Sequence, residues 1–477
     1  MSCLAANFTP TILIAGQIEI LKEVGFILQL FKKDIAMKSN VMSLVVSVFF
    51  GCLILFPIIS SAEGTEAAFT LKQTIVKALQ ANIGLKSSQE EIKAAGATKN
   101  AQQTYFFPTF GATYRYVRND EEFTSPGVGT ISPQNEFHFS TTVTQPLFAG
   151  FSLLNQYEIT KLGLDTALIN EKLAIQNIIL NAKTTYFALL RAQKLRNIAM
   201  DTVTQLDAHR EIADNFYQVG MIPLNDLLQA EVELANAKQE FLVAKNNLDN
   251  AEANFNVLLR RPINATAEIK DIVDYTPFEK DLDYCFKEAE KNRLEFQITD
   301  LDIQITERKL ALIKKDYYPS VNLQGTYLQQ GEEWDAQGGL GVFGDSSGWT
   351  VSVVASWDFW EWGRTNFGEK EQLSRISQAK LRKTEISDNI RLEVKKAYLR
   401  TQEAEKAIVT IEKAIQQAKE NFRISNERYK EQMNTSTDVL DAQTLLSRTM
   451  ANYYNALYAF KISKASLYRA IGQEIME

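Results

Sequence analysis

The chain repeats itself. The run YQVGMIPLNDLLQAE from Tyr217 is matched by YKEQMNTSTDVLDAQ from Tyr429, and the offset, 429 − 217, is 212 residues. In this register Asp226 meets Asp438, Leu228 meets Leu440 and Ala230 meets Ala442. A one-residue adjustment sets FFPTFGATYRY, around Pro108, against YYPSVNLQGTY, around Pro319. This period is far longer than the roughly 20–50 residues of a solenoid unit. It marks a duplicated half-protein with internal pseudo-symmetry. Each half reads as helix, strand pair, very long helix, turn and returning helix, so the fold is mainly α with β.

Glycine and proline set the helix lengths. Neither occurs from Glu369 to Ile471, so only very long helices fit there. Ile390, Val394, Ala397, Thr401, Ala404, Ile408, Ile411, Ile415, Ala418 and Phe422 step by four and three. Leu227, Ala230, Leu234, Ala237, Phe241, Ala244, Leu248, Ala251, Phe255 and Leu258 do the same in the first half. Such heptads predict left-handed coiled-coil packing. The first repeat is placed at 63–261, with strands 110–118 and 136–148, a long helix at about 150–219 and a returning helix at 223–261. A connecting segment, 262–280, follows. The second repeat, 281–477, carries strands 321–329 and 349–360, a long helix at about 363–431 and a returning helix at 436–472. Gly220 ends the first long helix and Pro223 suits the first turn of the next. Asn434-Thr435-Ser436-Thr437 offers capping side chains at the second turn. A helix from about 150 to 219 is roughly 100 Å long, far more than the ~30 Å core of a bilayer, and too polar to lie in one.

The strands have a different character. Trp349, Val351, Val353, Ala355, Trp357 and Phe359 alternate with polar neighbours. Phe110, Ala112, Tyr114 and Tyr116 do so in strand 110–118. The aromatic residues gather towards strand ends, as in the girdles of membrane β-barrels. Four strands cannot close a barrel, and an open sheet edge is not tolerated in lipid. Chains must therefore pool strands in multiples of four. Two chains give a bore filled by side chains, whereas three leave room for water. The loops Asn119–Gln134 and Gly331–Gly348 are placed at a membrane face.

The net charge of −7 comes without a basic block, which argues against a nucleic-acid partner. His138 and His209 are the whole histidine complement, so no catalytic, metal or cofactor site is expected. Lys38 precedes an apolar stretch from Val41 to Ile59, and Ser60-Ser61-Ala62 supplies small residues for cleavage before Glu63. This reads as an export signal cut after Ala62. A transmembrane anchor and a lipidated Cys52 are the alternatives, and Met37 opens a more ordinary signal than Met1. After cleavage Cys285 stands alone and can form no intrachain disulfide.

The motifs FFPTFGATYRY, VTQPLFAGFS, YQVGMIPLNDLLQAE, RYKEQMNTSTDVLDAQTLL and LYRAIGQ, in this duplicated order, resemble the TolC-like outer-membrane efflux proteins. The resemblance runs from about Phe69 to Gly472. It implies a homotrimer with a twelve-stranded outer-membrane barrel over a twelve-helix periplasmic tunnel. It also implies a periplasmic adaptor and an inner-membrane pump of RND or ABC type as partners.

By this resemblance Asp438 and Asp441 form the acidic aperture of the periplasmic entrance. Their i, i+3 spacing puts both on one helix face, and rings of carboxylates favour cations. Asp438 is equally placed to complement a helix dipole. Asp226 and Tyr429 match members of the lock that keeps the family's entrance closed. Asn434 stands where a relative has arginine, so a neutral amide bond replaces a charged one, or Arg428 or Lys430 compensates. Gly220, Met221, Gln432 and Met433 are the tips that meet the adaptor. The function so implied is a passive exit duct for drugs, small molecules or secreted protein, not an enzyme. The rivals are a soluble periplasmic coiled-coil scaffold and a dedicated type I secretion or metal-efflux component. The chain has no His/Cys/Met cluster for soft metals.

Overall fold

A computed structural model describes residues 68–473, apart from 273, 275 and 345. The expected signal segment, with Lys38, Cys52 and the Ala62 cleavage point, lies outside the described residues. The first repeat comprises α1 (Leu71–Ala81), α2 (Ile83–Thr104), β1 (Thr109–Arg118), a small hairpin β2 (Phe123–Ser125) and β3 (Gly129–Ser132), β4 (Asn135–Ala149), α3 (Ser152–Gln218) and α4 (Leu224–Leu259). The second comprises α5 (Leu282–Asn292), α6 (Leu294–Ile313), β5 (Ser320–Gly331), β6 (Ser346–Ser356), α7 (Arg364–Lys430) and α8 (Ser436–Ala470). Helices α3 and α7 both have 67 residues, which makes each about 100 Å long. They start 212 residues apart (364 − 152), as do α4 and α8 (436 − 224).

Each long helix leaves its strand through two consecutive residues of left-handed conformation. These are Gly150 and Phe151 in the first repeat, Trp362 and Gly363 in the second. The glycine has changed place between repeats, so each junction keeps one residue that adopts positive φ without a Cβ penalty. Gly150 is also fixed by space, since a Cβ there would lie 2.6 Å from the Lys315 carbonyl oxygen.

The heptad stripes are the packed faces. Leu227, Ala230, Leu234, Ala237, Leu248 and Phe255 are buried on α4, and Ile390, Val394, Ala397, Thr401, Ile408 and Ala418 on α7. Two larger cores sit at equivalent places. In one, Leu71, Ile75 and Ala78 of α1 pack on Ile179, Ala182 and Tyr186 of α3 with Phe255 of α4. In the other, Cys285 and Ala289 of α5 pack on Ile390, Val394 and Ala397 of α7 with Leu467 of α8. Phe69 forms a parallel bridge with Ile269, and the Tyr186 hydroxyl donates to the carbonyls of Phe69 and Lys270 at 3.0 and 2.5 Å. These contacts tie the start of the described chain to the segment after α4.

The four long strands form one antiparallel sheet in the order β1-β4-β5-β6. Its central pair, β4 with β5, joins the repeats. β1 and β6 are free edges, and they expose Phe110, Tyr114 and Tyr116, and Trp349, Val351 and Val353.

Three details differ from the sequence expectation. The strand expected over 349–360 stops at Ser356, so Trp357 and Phe359 belong to the irregular link into α7. The loop Asn119–Gln134 contains the β2–β3 hairpin. Pro223 is the N-cap of α4, in extended conformation, rather than a first-turn residue. No described helix is long and apolar enough to cross a membrane.

Candidate functional site

The rods end in two turns, α3 to α4 and α7 to α8, built to one plan. At the first, Gly220 N–H donates to Tyr217 O and Met221 N–H to Phe216 O, at 2.9 and 2.8 Å. At the second, Gln432 N–H donates to Tyr429 O and Met433 N–H to Arg428 O at the same distances. This is the double-bonded C-terminal cap, whose pivot residue must be left-handed. Gly220 supplies φ 75°, and Gln432, its counterpart, is held at φ 58° with a Cβ. The two turns touch: Gln432 Nε2 lies 2.9 Å from Met221 Sδ. Gly220, Met221, Gln432 and Met433 are all exposed at this end.

Helix α8 opens with a capping box. The Thr435 hydroxyl and backbone N–H donate to Asp438 Oδ2 at 2.7 and 3.0 Å, and Asp438 N–H returns a bond to Thr435 Oγ1. Those bonds from Thr435 hold the Asp438 carboxyl below the usual carboxylate range. Asp438 thus has the helix-start role. It remains exposed, as does Asp441 one turn further on.

Tyr429 is 3% exposed and lies 5.7 Å from the Phe216 ring. Burial first, then the charge of Asp226, push its hydroxyl pKa up. Asp226 is therefore within electrostatic reach. The Ser436 side chain acts on the hydroxyl in the opposite sense, and no hydrogen bond joins Asp226, Tyr429 and Asn434 to one another among the described residues. Lys430 is paired with Glu427 on its own helix. The Tyr429 ring is buried against Phe216.

Two further residues complete the site. His209 of α3, 3% exposed, places its ring 4.8 Å from that of Tyr429, and its Nε2 lies 2.9 Å from Ser436 Oγ. Periodicity does not reveal them, and the duplication does not single them out: the 212-residue offset puts Asn421 opposite His209 and Leu224 opposite Ser436, but differing residues stand at most positions of the repeat.

The chain is of the class that sets an open, aromatic-edged four-stranded sheet on duplicated coiled-coil rods. The profile of the family described as "Outer membrane efflux protein" matches residues 74–259 and 286–473. The chain belongs to this family, and it is an outer-membrane protein of the efflux-channel class. It is 19% identical to the outer membrane protein TolC of Escherichia coli over 422 residues, covering 87% of this chain and 84% of that protein. The Campylobacter jejuni CmeC outer membrane channel has a similar structure, with TM-score 0.75, 18% identity and coverage of 84% and 85% of the two chains. So does VceC of Vibrio cholerae, with TM-score 0.70, 16% identity and coverage of 84% and 96%.

Proposed function

We propose that the chain works as a homotrimer, pooling three four-stranded sheets into a twelve-stranded barrel continued by a tunnel of long helices through the periplasm. It is a passive exit duct of a tripartite export system, with energy supplied by an inner-membrane pump reached through a periplasmic adaptor. The observation that carries this reading is the open four-stranded sheet. Its edge strands leave a row of N–H and C=O groups unpaired beside exposed Phe110, Tyr114, Trp349 and Val351, an arrangement stable in lipid only once closed by other strands. Exposed Leu228, Val232 and Leu242 on α4, and Leu381, Leu392 and Leu399 on α7, supply apolar faces for neighbouring copies. Asp438 and Asp441 line the aperture, Tyr429 and Asp226 with Asn434 hold it shut, and Gly220, Met221, Gln432 and Met433 meet the adaptor. Cargo is drugs, small molecules or secreted protein.

Native mass spectrometry of the detergent-extracted outer-membrane fraction tests the assembly. A trimer of chains beginning at Glu63 is expected. A monomer or dimer in the soluble periplasmic fraction would return the chain to the scaffold reading.

A further inference from the structure

Helices α3 and α8 belong to different repeats and meet along a seam near the rod ends. Thr202 Oγ1 lies 2.7 Å from Ser447 Oγ. Leu206 packs with Leu440, Leu234 and Ala237. The last polar contact is His209 Nε2 with Ser436 Oγ. The Tyr429 ring of α7 covers the imidazole.

This enclosure leaves the histidine badly matched to its surroundings. Its Nδ1 is buried with no hydrogen-bond partner. A neutral imidazole has one N–H and one lone pair, so either tautomer leaves one nitrogen unmet. A protonated ring would add a second buried N–H without an acceptor, and a charge without a counterion. Among the described residues no carboxylate bonds to it from any packed element. Asp226 of α4 acts on Tyr429, and Asp438 of α8 is turned back onto Thr435. Asp441 is exposed. On α3 itself Asp207 is paired with Arg210, and Asp214 accepts from Gln218.

We propose that His209 is a proton-sensitive latch of the entrance: a positioning residue that, while neutral, holds α3 against α7 and α8, and that releases them when protonated. The proposal rests on reading this end as the closed entrance of a duct. Burial alone lowers the proton affinity of His209, pushing its pKa from 6.5 down to about 4. An opened entrance returns the ring to water and to its ordinary value. The open form then binds more protons between those values, so acid favours opening. The closed state is fully favoured above 6.5 and loses ground as pH falls toward 4. At pH 5 the open-to-closed ratio gains about thirty-fold per chain from this group.

The test is hydrogen–deuterium exchange of the full-length protein in detergent at pH 7.5 and 5.0, corrected for intrinsic exchange, beside planar-bilayer conductance. Uptake in segments 205–214 and 429–440 should rise about ten-fold or more at pH 5.0 in the natural protein, with current rising over the same range. His209→Gln, which keeps a donor and never titrates, should show neither rise. His209→Phe serves if the glutamine variant does not assemble. The variant Asp441→Asn, which leaves the α8 cap intact, should keep the response. Flat uptake in the natural protein, an equal rise in the His209 variants, or loss of the rise in the aspartate variant would each overturn the latch. An exchange response without current at any pH would leave the latch standing and remove the duct.

Discussion

Tyr217 and Tyr429 occupy one position in the two repeats, yet Tyr217 is 39% exposed and Tyr429 only 3%. The duplication is thus broken at the rod ends, where the second-repeat ring is enclosed by His209 and Phe216. Tyr429→Ala should destabilise this end by about 3–5 kcal/mol, the cost of deleting a buried aromatic ring. Tyr217→Ala should stay within about 0.5 kcal/mol, as surface changes do. Exchange protection of 425–440, with bilayer conductance beside it, separates the two. Equal effects would mean that the enclosure contributes nothing to closure.

The paired turns make an opposite prediction. Gln432 carries a side chain at φ 58°, and Gly220 at φ 75° does not. Gln432→Gly should relieve about 1 kcal/mol of backbone strain, while Gly220→Ala should cost at least that much. Thermal unfolding of the detergent-solubilised protein reads both. The glycine's gain is reduced by loss of the Met221 contact, so a Gln432→Asn variant gives a second reading.

Asp438 and Asp441 differ in what holds them. Asp441→Asn should lower cation selectivity with stability unchanged. Asp438→Asn should lower selectivity and also loosen the start of α8, because the carboxylate accepts two bonds from Thr435. Reversal potentials in a salt gradient check the first effect and exchange at residues 435–439 the second. Unchanged reversal potentials in the double variant would remove both residues from the aperture.

Further up the rods, Arg293, 4% exposed, donates to both carboxylate oxygens of Glu295 at 2.9 Å, to Glu393 at 2.9 Å and to the Ala470 carbonyl at 3.2 Å. Arg469 donates to Glu295 as well. Burial alone would raise the Glu295 pKa, but the Arg293 and Arg469 charges hold it below 4.5. Its contribution is therefore complete above the ordinary value of 4.5 and is lost as pH falls through the depressed one. Arg293→Met, which leaves the half-buried Glu295 with Arg469 alone, should cost about 3–5 kcal/mol and weaken this acid sensitivity. A lysine should rescue only in part, since it lacks the planar fork. Denaturant midpoints between pH 3 and 7 provide the measurement.

Sequence carried the rods well because they are governed by local rules. Absence of glycine and proline set their length, and the four-three stepping marked Leu227 to Leu258 and Ile390 to Phe422 as the packed faces. It overran β6, because the aromatic alternation at Trp357 and Phe359 continues into an irregular link whose exposed rings need no strand to place them. The β2–β3 hairpin was hidden by its shortness and by Pro126 and Pro133. The entrance was half legible. Tyr429 and Asp226 stood out by repetition, but whether they bond depends on side-chain placement. His209 and Ser436 meet across 227 residues of chain, and periodicity names a helix face without naming the partner that covers it.

The central pairing of the sheet has a kinetic consequence. β4 and β5 join residues that are never closer in sequence than Ala149 and Ser320, which are 320 − 149, or 171, residues apart. Closing so long a loop is slow, whereas helical turns and hairpins between adjacent rods form from nearby contacts. The rods thus form early and the full sheet late, so that the two hairpins carrying the aromatic edges are joined only near the end of folding. Delivery of each chain to its membrane is therefore a race between that last pairing and aggregation.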